Sequence, residues 1–249
     1  MAQRDDIESA MNSLLEPARL RDYGPNGLQV EGRAEVRRIV CGVTASRALI
    51  EAALVDKADA IVVHHGLFWR GHDGRITGWL KARLQLLLGA EVSLFAYHLP
   101  LDAHPSVGNN AQLGLRLGLE ADARFGEQEL GFIGSLAEAQ ALDAFARRVE
   151  LALARVPLVV AGDGRPLRRI AWCTGGAQGY FEAAIAAGAD AYLTGEISEP
   201  QAHYARETGV AFLACGHHAS ERYGVQALTA HIAAQFGLEH AFIDIDNPA

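Results

Sequence analysis

Two kinds of segment alternate along the chain. Short apolar runs lie at residues 38–41, 60–63, 93–96, 169–173, 191–194 and 211–215. Alanine-rich stretches with the length and composition of helices separate the first run from the second and the fourth from the fifth. Apolar strands that alternate with such helices predict a parallel sheet built from right-handed crossovers. We therefore predict an α/β fold in which mixed sheets are flanked by helices.

The ends and the middle of the chain carry less regular elements. We predict an amphipathic helix at 3–21, a helix at 135–154, and strands at 157–161 and 240–246. The segment ADARFGEQELG, near residues 120–130, shifts towards charge and glycine and indicates a boundary. The predicted domains are a first α/β half at 1–125, completed by the strand at 240–246, and a second half at 126–239.

Two parts of the chain resemble each other in sequence. Residues 38–65 (RIVCGVTASRALIEAALVDKADAIVVHH) align without a gap with residues 169–196 (RIAWCTGGAQGYFEAAIAAGADAYLTGE). After a change in loop length, SLFAYHLPLD at 93–102 aligns with FLACGHHASE at 212–221, which places His98 on His217 and Asp102 on Glu221. Two alanine-rich α/β units can look alike by chance, but the recurring His-x-x-x-acid pattern favours an internal duplication that relates two similar halves.

Two adjacent histidines, His64 and His65, end the apolar run at 60–63. Ligands bind to open α/β sheets at the carboxyl ends of the parallel strands, so these imidazoles are candidate metal ligands. Successive side chains of a regular strand point to opposite faces, and one ion would not then receive both. Either one histidine is a ligand and the other is structural, or the backbone leaves strand geometry, or the two serve different ions.

Histidines and carboxylates also follow two other apolar runs. His98 and Asp102 follow residues 93–96, and Pro100 predicts that they lie in a loop rather than on a helix. His217 and Glu221 follow residues 211–215. If a helix begins near residue 219, Glu221 lies in its first turn, where a carboxylate is favoured. Three strand ends with such side chains predict a site for a divalent ion of the Zn, Mn, Fe, Co or Ni type.

Other residues near these strand ends have two readings each. Glu196 stands where the repeat places His65, so it is either an acid or base of the site or a solvated carboxylate. Cys215 is a possible extra ligand, although a buried small residue is favoured. The glycine-containing loops at 42–46 and 174–179 could cradle an anion or serve only as tight turns. Neither loop matches a P-loop or a dinucleotide-binding fingerprint.

Composition narrows the class of protein. The 249 residues carry a net charge of −8, and only Lys57 and Lys81 are lysines, which makes nucleic-acid binding an unfavoured function. Three widely spaced cysteines argue against a disulfide framework, and the absence of a CxxC pair excludes a Cys-rich zinc module. No apolar run approaches the ~20 residues that cross a bilayer, and the N-terminal segment lacks the pattern of a signal peptide. We expect a cytoplasmic protein that binds no membrane.

Blocks along the whole chain resemble, in order and spacing, those of the NIF-three-like family, whose members are often labelled GTP cyclohydrolase 1 type 2. The blocks are DYGPNGLQVEG, GVTAS, VVHHGLFW, YHLPLDAHPSVGNNAQL, AWCTGGAQ, TGE, GHHASER and FIDIDNP. The resemblance is to the short bacterial form, because the insertion that some relatives carry between the halves is missing. It implies two related α/β halves, a pair of divalent metal ions in the cleft between them, and a ring-shaped homohexamer.

The resemblance also implies roles for individual residues. The family's metal ligands fall on His64, His65, Asp102, His217 and Glu221, with Glu221 bridging the two ions. His98 is then a neighbour of the site that supports it or transfers a proton, and Glu196 is the other candidate for catalysis.

The resulting hypothesis is a metal-dependent hydrolase that acts on a small molecule, either a nucleotide or a related heterocycle. The alternative is a non-enzymatic assembly or partner-docking protein in which the ions are structural or regulatory. A third reading, nucleic-acid processing within a ring, is weakened by the acidic charge.

Overall fold

The computed structural model describes residues 1–249. Its strands, in chain order, are β1 (Ala2–Gln3), β2 (Gly27–Val30), β3 (Glu35–Val36), β4 (Arg38–Thr44), β5 (Ala60–His65), β6 (Ser93–Ala96), β7 (Glu120–Phe125), β8 (Gly131–Gln140), β9 (Leu158–Val160), β10 (Leu167–Trp172), β11 (Ala191–Thr194), β12 (Ala211–Ala214) and β13 (Glu239–Phe242). Its helices are α1 (Arg4–Leu15), α2 (Arg47–Val55), α3 (Gly78–Ala90), α4 (Leu99–Ala103), α5 (Asn109–Leu117), α6 (Leu142–Leu153), α7 (Phe181–Ala186), α8 (Glu199–Thr208), α9 (His217–Ser220) and α10 (Arg222–Phe236). None of these helices is long and apolar enough to cross a membrane.

The first of two compact units consists of residues 1–108 and 224–246. Its sheet has the strand order β13-β4-β5-β6-β2, in which only β2 is antiparallel to its neighbour. Alternate side chains of each strand enter two apolar layers on opposite faces of this sheet, as Ile39 and Val40 do. Helices α1 and α10 contribute to one layer, and α2 and α3 contribute to the other.

The second unit consists of residues 109–223 and 247–249. Its sheet has the order β7-β8-β10-β11-β12-β9, with β10, β11 and β12 parallel and the remaining pairs antiparallel. Both units therefore contain a mixed sheet with flanking helices, as predicted. Phe181, Tyr192 and Phe212 form an aromatic cluster between helix and sheet, with ring centroids 4.9 to 5.9 Å apart.

The boundary between the units differs from the predicted one at 125/126. Residues 109–125 lie in the second unit because α5 packs its Leu113 and Leu117 into that unit's core and β7 pairs with β8. Residues 224–239 lie in the first unit because Val225, Leu228 and Ile232 of α10 join its core. The charge and glycine near residue 125 mark a turn between two strands and not a change of unit.

The parallel strands of both sheets share one hydrogen-bonding arrangement, in which an aspartate that precedes one strand accepts from amides near the start of the neighbouring strand. Asp59 precedes β5, and its Oδ2 accepts from the amides of Arg37 and Arg38 at 2.8 and 3.2 Å. Asp190 precedes β11, and its Oδ2 accepts from the amides of Arg168 and Arg169 at 2.9 and 2.8 Å. Both aspartates belong to the Ala-Asp-Ala segments that align in the sequence. The duplication stays a prediction, which this matching supports.

Strand registers correct one part of the internal alignment. Ala60 and Ala191, which the first alignment equates, pair with Ser93 and Ala211 respectively. The register thus equates Ser93 with Ala211 and not with Phe212. Counting forward, His98 corresponds to Gly216, the residue that precedes α9 as His98 precedes α4. The His-x-x-x-acid patterns are displaced by one residue, so they are not equivalent positions of a repeat.

Two local predictions were wrong, and one conditional expectation is not met. Residues 135–140 belong to β8 and not to a helix: Ser135 pairs with both β7 and β10, and Gln140 pairs with Leu167 of β10. Asp102 lies on α4, with Pro100 in the first turn, where the missing amide hydrogen has no intrahelical acceptor to lose. His217 begins α9 and Glu221 directly follows it, so the condition of a helix that begins near residue 219, with Glu221 in its first turn, is not met.

Candidate metal centre

His64 is fully buried at the end of β5 in the first unit. Its Nδ1 donates a hydrogen bond to the Tyr97 carbonyl oxygen at 2.9 Å. A carbonyl oxygen can only accept, so the ring proton lies on Nδ1 and the lone pair lies on Nε2. Nε2 lies 3.5 Å from Oδ1 of Asp102, a residue with 7% of its surface exposed. His64 and Asp102 thus present an imidazole nitrogen and a carboxylate oxygen to one point.

His65 lies beside His64 although both belong to a regular strand. The two ring centroids are 4.6 Å apart, and Nδ1 of His65 is 3.1 Å from the Thr44 hydroxyl on the adjacent strand. Ligand atoms of His64, His65 and His98 all lie within 4.8 Å of one another. The backbone keeps strand geometry to His65, yet both imidazoles reach the same group of potential ligands, together with His98.

His98 is held by Asp22, which the sequence motifs do not indicate as a site residue. Nδ1 of His98 donates to Oδ1 of Asp22 at 2.6 Å. The Asp22 carboxylate, whose side chain is 4% exposed, also accepts from the amides of Tyr23 and Leu99 and from Nδ2 of Asn26. Burial raises the pKa of Asp22, but the hydrogen bonds from His98, Asn26 and Tyr23 outweigh burial and hold the pKa below its usual value. Asp22 is therefore a fixed anion that orients the His98 ring.

Replacing Asp22 by asparagine is expected to lower the free energy of unfolding at pH 7 by about 1.5–3 kcal/mol, because charged hydrogen bonds are lost. The folded-state pKa of Asp22 is lowered. The stabilisation is therefore complete above the unfolded pKa of about 3.9 and is lost as pH falls through the folded pKa. Urea unfolding at pH 7 and at roughly pH 3 should show the difference between wild type and Asp22→Asn shrinking in acid. The exposed control Asp143→Asn should change stability little; an Asp22→Asn effect that does not depend on pH contradicts the assignment.

The second unit brings His217 and Glu221 together. His217 follows the short strand β12, and its Nε2 lies 3.2 Å from Oε2 of Glu221, four residues further along. Glu221 is 2% exposed, and His217 is partly exposed. This unit therefore presents a second pair of imidazole nitrogen and carboxylate oxygen.

Glu196 lies behind His217. Its Oε1 accepts from Nδ1 of His217 at 2.6 Å, and its Oε2 accepts from Nε2 of Gln178 at 3.3 Å. Burial lowers the pKa of His217, but its contacts with Glu221 and Glu196 outweigh burial and raise the pKa to about 9. The position of Glu196 is that of a residue that orients a metal-binding histidine through its second nitrogen. A direct catalytic role for Glu196 stays a prediction.

The side chains of His217 and Glu221 fit where they do because two neighbouring residues, at positions 175 and 195, are glycines. A Cβ on Gly175, whose φ is +70°, would lie 2.0 Å from Oε1 of Glu221 and 3.2 Å from Nε2 of His217. A Cβ on Gly195 would lie 2.6 Å from the Gly175 carbonyl oxygen and from Cα of His217. Gly195 aligns with His64 in the first half. The second unit thus has no room for the equivalent histidine.

The structure favours the simpler interpretation of Cys215, a buried small residue, and of the two glycine-containing loops, which form tight turns. Cys215 is fully buried, its thiol donates to the Thr194 carbonyl oxygen at 3.2 Å, and burial raises its pKa to about 12. In the loop at 174–179, the amide of Gly175 donates to the Ser220 hydroxyl. In the loop at 42–46, the amide of Ala45 donates to the His65 carbonyl oxygen and Ser46 caps α2. These amides serve the fold, and nothing in their arrangement indicates an anion site.

The donor set fits divalent metal ions. In each of the four histidines, Nδ1 is hydrogen-bonded to an acceptor or hydroxyl of the protein, which leaves Nε2 as the nitrogen for a ligand. Histidines that bind metals are held in this way. Paired with buried carboxylates, such nitrogens suit borderline ions such as Zn, Mn or Fe. The fold and these residues define a mixed α/β protein with clusters of histidine and carboxylate that could hold metal.

The chain belongs to the Duf34/NIF3 (NGG1p interacting factor 3) family, whose model matches residues 2–248. It is 56% identical over 238 residues to a protein of Pseudomonas aeruginosa and 53% identical over 249 residues to one of Neisseria meningitidis serogroup A, both named GTP cyclohydrolase 1 type 2 homolog. The matches cover 94% of both chains in the first case and 100% in the second. The solved structure of the protein ybgI, described as of unknown function, superposes with a TM-score of 0.96 at 44% identity over 99% of this chain and 100% of its own. The resemblance that the sequence motifs indicated is confirmed.

Proposed function

We propose that this protein is a dinuclear metal-dependent hydrolase of a small molecule, and that the donor groups of its two units together hold one pair of divalent ions. The ligands would be His64, His65 and Asp102 from the first unit and His217 and Glu221 from the second. The main observation in support is that each of these histidines has Nδ1 engaged by the protein, with Nε2 of His64 and His217 directed at a buried carboxylate. The name of the relatives adds support for a cyclohydrolase-like reaction.

Ions bound there would lower the pKa of a coordinated water towards ~7 and stabilise the oxyanion formed when that water attacks. Glu221, nearly inaccessible and able to offer two oxygens, is the residue suited to bridge them. The Asp22 carboxylate keeps the proton of His98 on Nδ1, so Nε2 of His98 is the basic atom that can take a proton from a reacting group. Glu196 keeps the His217 ring in one orientation. The substrate would be a nucleotide or a related heterocycle.

The test combines metal analysis with a substrate screen. Protein purified without added ions is assayed for bound metals and for hydrolysis of nucleotides, phosphoesters and cyclic amides, with Glu221→Gln as the matched variant. We expect metal in the wild type, about 100-fold or greater loss of metal affinity in the variant, and loss of turnover without loss of the assembly. The Glu182→Gln control, on the exposed side of α7, should retain both.

The burial of His64, Asp102 and Glu221 also suits ions that support structure, since structural sites are usually closed by protein ligands. That second function is favoured if no substrate class is turned over and removal of metal dissociates the protein. We propose the ring-shaped homohexamer as the assembly in either case. Light scattering should therefore give a mass of six chains, and a monomer or dimer contradicts it.

A further inference from the structure

Two aromatic side chains of the first unit adjoin the histidine cluster. The rings of Tyr23 and Trp69 lie 6.1 and 5.1 Å from the His98 ring, at interplanar angles of 63° and 88°. Trp69 also lies 6.0 Å from His65. Tyr23 is 58% exposed, and Trp69 is partly exposed. Neither residue belongs to the core of the unit, and neither is a metal ligand.

The loops that carry these rings are fixed to each other. The amide of Arg70 donates to the Tyr23 carbonyl oxygen at 2.6 Å, and the Arg70 guanidinium donates to the Asp22 carbonyl oxygen at 2.7 Å. Between the loops, a Cβ on Gly24 would lie 2.4 Å from the Phe68 carbonyl oxygen, so only glycine allows this approach. Hydrogen bonds and close packing therefore hold Tyr23 and Trp69 beside His98 without help from their own rings.

Exposed aromatic rings beside polar groups are the typical surroundings of a bound planar ring. An indole or phenol presents a flat apolar surface for stacking, and polar groups at the edge read the nitrogen and oxygen atoms of a heterocycle. His65 and His98 supply such groups here. A sugar phosphate has no planar ring that could stack on these side chains.

We propose that Tyr23 and Trp69 form the stacking surface that recognises a planar heteroaromatic ring of the substrate beside the histidine cluster. The inference rests on the proposed function, because it assigns the substrate of that same site. It makes Tyr23 and Trp69 specificity-determining residues, and it places the ring of the substrate next to His98.

Trp79 provides a matched control. It is 54% exposed on α3, away from the histidine cluster in sequence, and the Arg83 guanidinium covers one face of its ring at 4.7 Å. Binding of guanosine, adenosine and ribose 5-phosphate to the protein as purified is measured by equilibrium dialysis. The variants are Trp69→Ala, Trp69→Phe, Tyr23→Ala and Trp79→Ala.

We expect a nucleoside to bind the wild type, with about 10-fold or greater loss in Trp69→Ala and in Tyr23→Ala. Trp69→Phe should recover most of the binding, and Trp79→Ala should bind like the wild type. The affinity for ribose 5-phosphate should be the same in every variant as in the wild type. The inference is overturned if no nucleoside binds, if Trp69→Ala binds as the wild type does, or if Trp79→Ala loses as much. It is also overturned if Tyr23→Ala and Trp69→Ala change the number of chains per particle and leave binding unchanged.

Binding and hydrolysis separate this inference from the proposed function. Nucleoside binding that depends on Trp69 without any turnover supports the stacking surface and contradicts the hydrolase. Turnover of a non-aromatic substrate that Glu221→Gln abolishes, with KM unchanged in Trp69→Ala, supports the hydrolase and contradicts the stacking surface.

Discussion

Gly175→Ala should remove metal binding from the second unit while leaving every proposed ligand in the sequence. The new methyl group would lie 2.0 Å from Oε1 of Glu221, a separation that no relaxed structure allows, and 3.2 Å from Nε2 of His217. Glu221 has almost no exposed surface and cannot swing into solvent without disturbing its neighbours. The positive φ of +70° adds a backbone cost of roughly 1–2 kcal/mol for any residue with a Cβ.

Metal affinity and stability would therefore fall together in this variant. Isothermal titration with Mn²⁺ or Zn²⁺ should show about 100-fold or greater weakening, and urea unfolding should show a loss of roughly 2–4 kcal/mol. The adjacent Gly176→Ala is the matched control, because its Cβ would meet Cε1 of His217 at an ordinary 3.5 Å. It should keep affinity within about threefold. Equal behaviour of the two variants would show that Glu221 does not occupy the place assigned to it.

Phe212→Ala should cost the second unit about 3–5 kcal/mol of unfolding free energy. The Phe212 ring is fully buried on β12, 4.9 Å from Phe181 and 5.7 Å from Tyr192, so truncation leaves a cavity lined by rigid rings. β12 leads directly to His217, and loosening it is expected to weaken metal binding as well.

Urea unfolding of the protein without metal tests this loss, because bound ions would otherwise contribute to stability. Leu158→Ala, on the neighbouring strand β9 and 51% exposed, should cost less than about 1 kcal/mol. A Phe212→Ala cost no larger than that of Leu158→Ala would contradict the packing described for this core.

The sequence predicted the elements best where apolar residues are bounded by clear turns. Strands at Ser93–Ala96 and Ala191–Thr194 have the predicted limits, and each is wholly buried and followed within two residues by a histidine or a glycine. The failure at residues 135–140 arose because SLAEAQ consists largely of good helix formers. Strand pairing at both ends of the segment, through Ser135 and Gln140, overrode that local preference.

The candidate ligands were recognisable from the sequence because they end or follow strands. The residues that orient their neighbours were not recognisable. Asp22 lies 76 residues from His98, in a segment whose Gly, Pro and Asn residues indicate a turn but no role for Asp22, and only the folded chain joins them. The one-residue displacement between the two His-x-x-x-acid patterns was also invisible, because it depends on which residues of neighbouring strands form hydrogen bonds. A gapless match between short apolar segments does not determine strand register.

The discontinuity of the first unit has a consequence for synthesis of the chain. Val225, Leu228 and Ile232 complete its core, and β13 completes its sheet, yet all of them are made after the second unit. Domains generally fold as they leave the ribosome, starting from the N-terminus. Here the unit that begins the chain must wait, with the core cluster of Ile7 and Met11 lacking its α10 members, until the last segment emerges. Nascent chains stopped at Tyr223 should therefore be cleaved by protease throughout residues 1–108 and resist it within 109–223; protection of both parts would contradict this order.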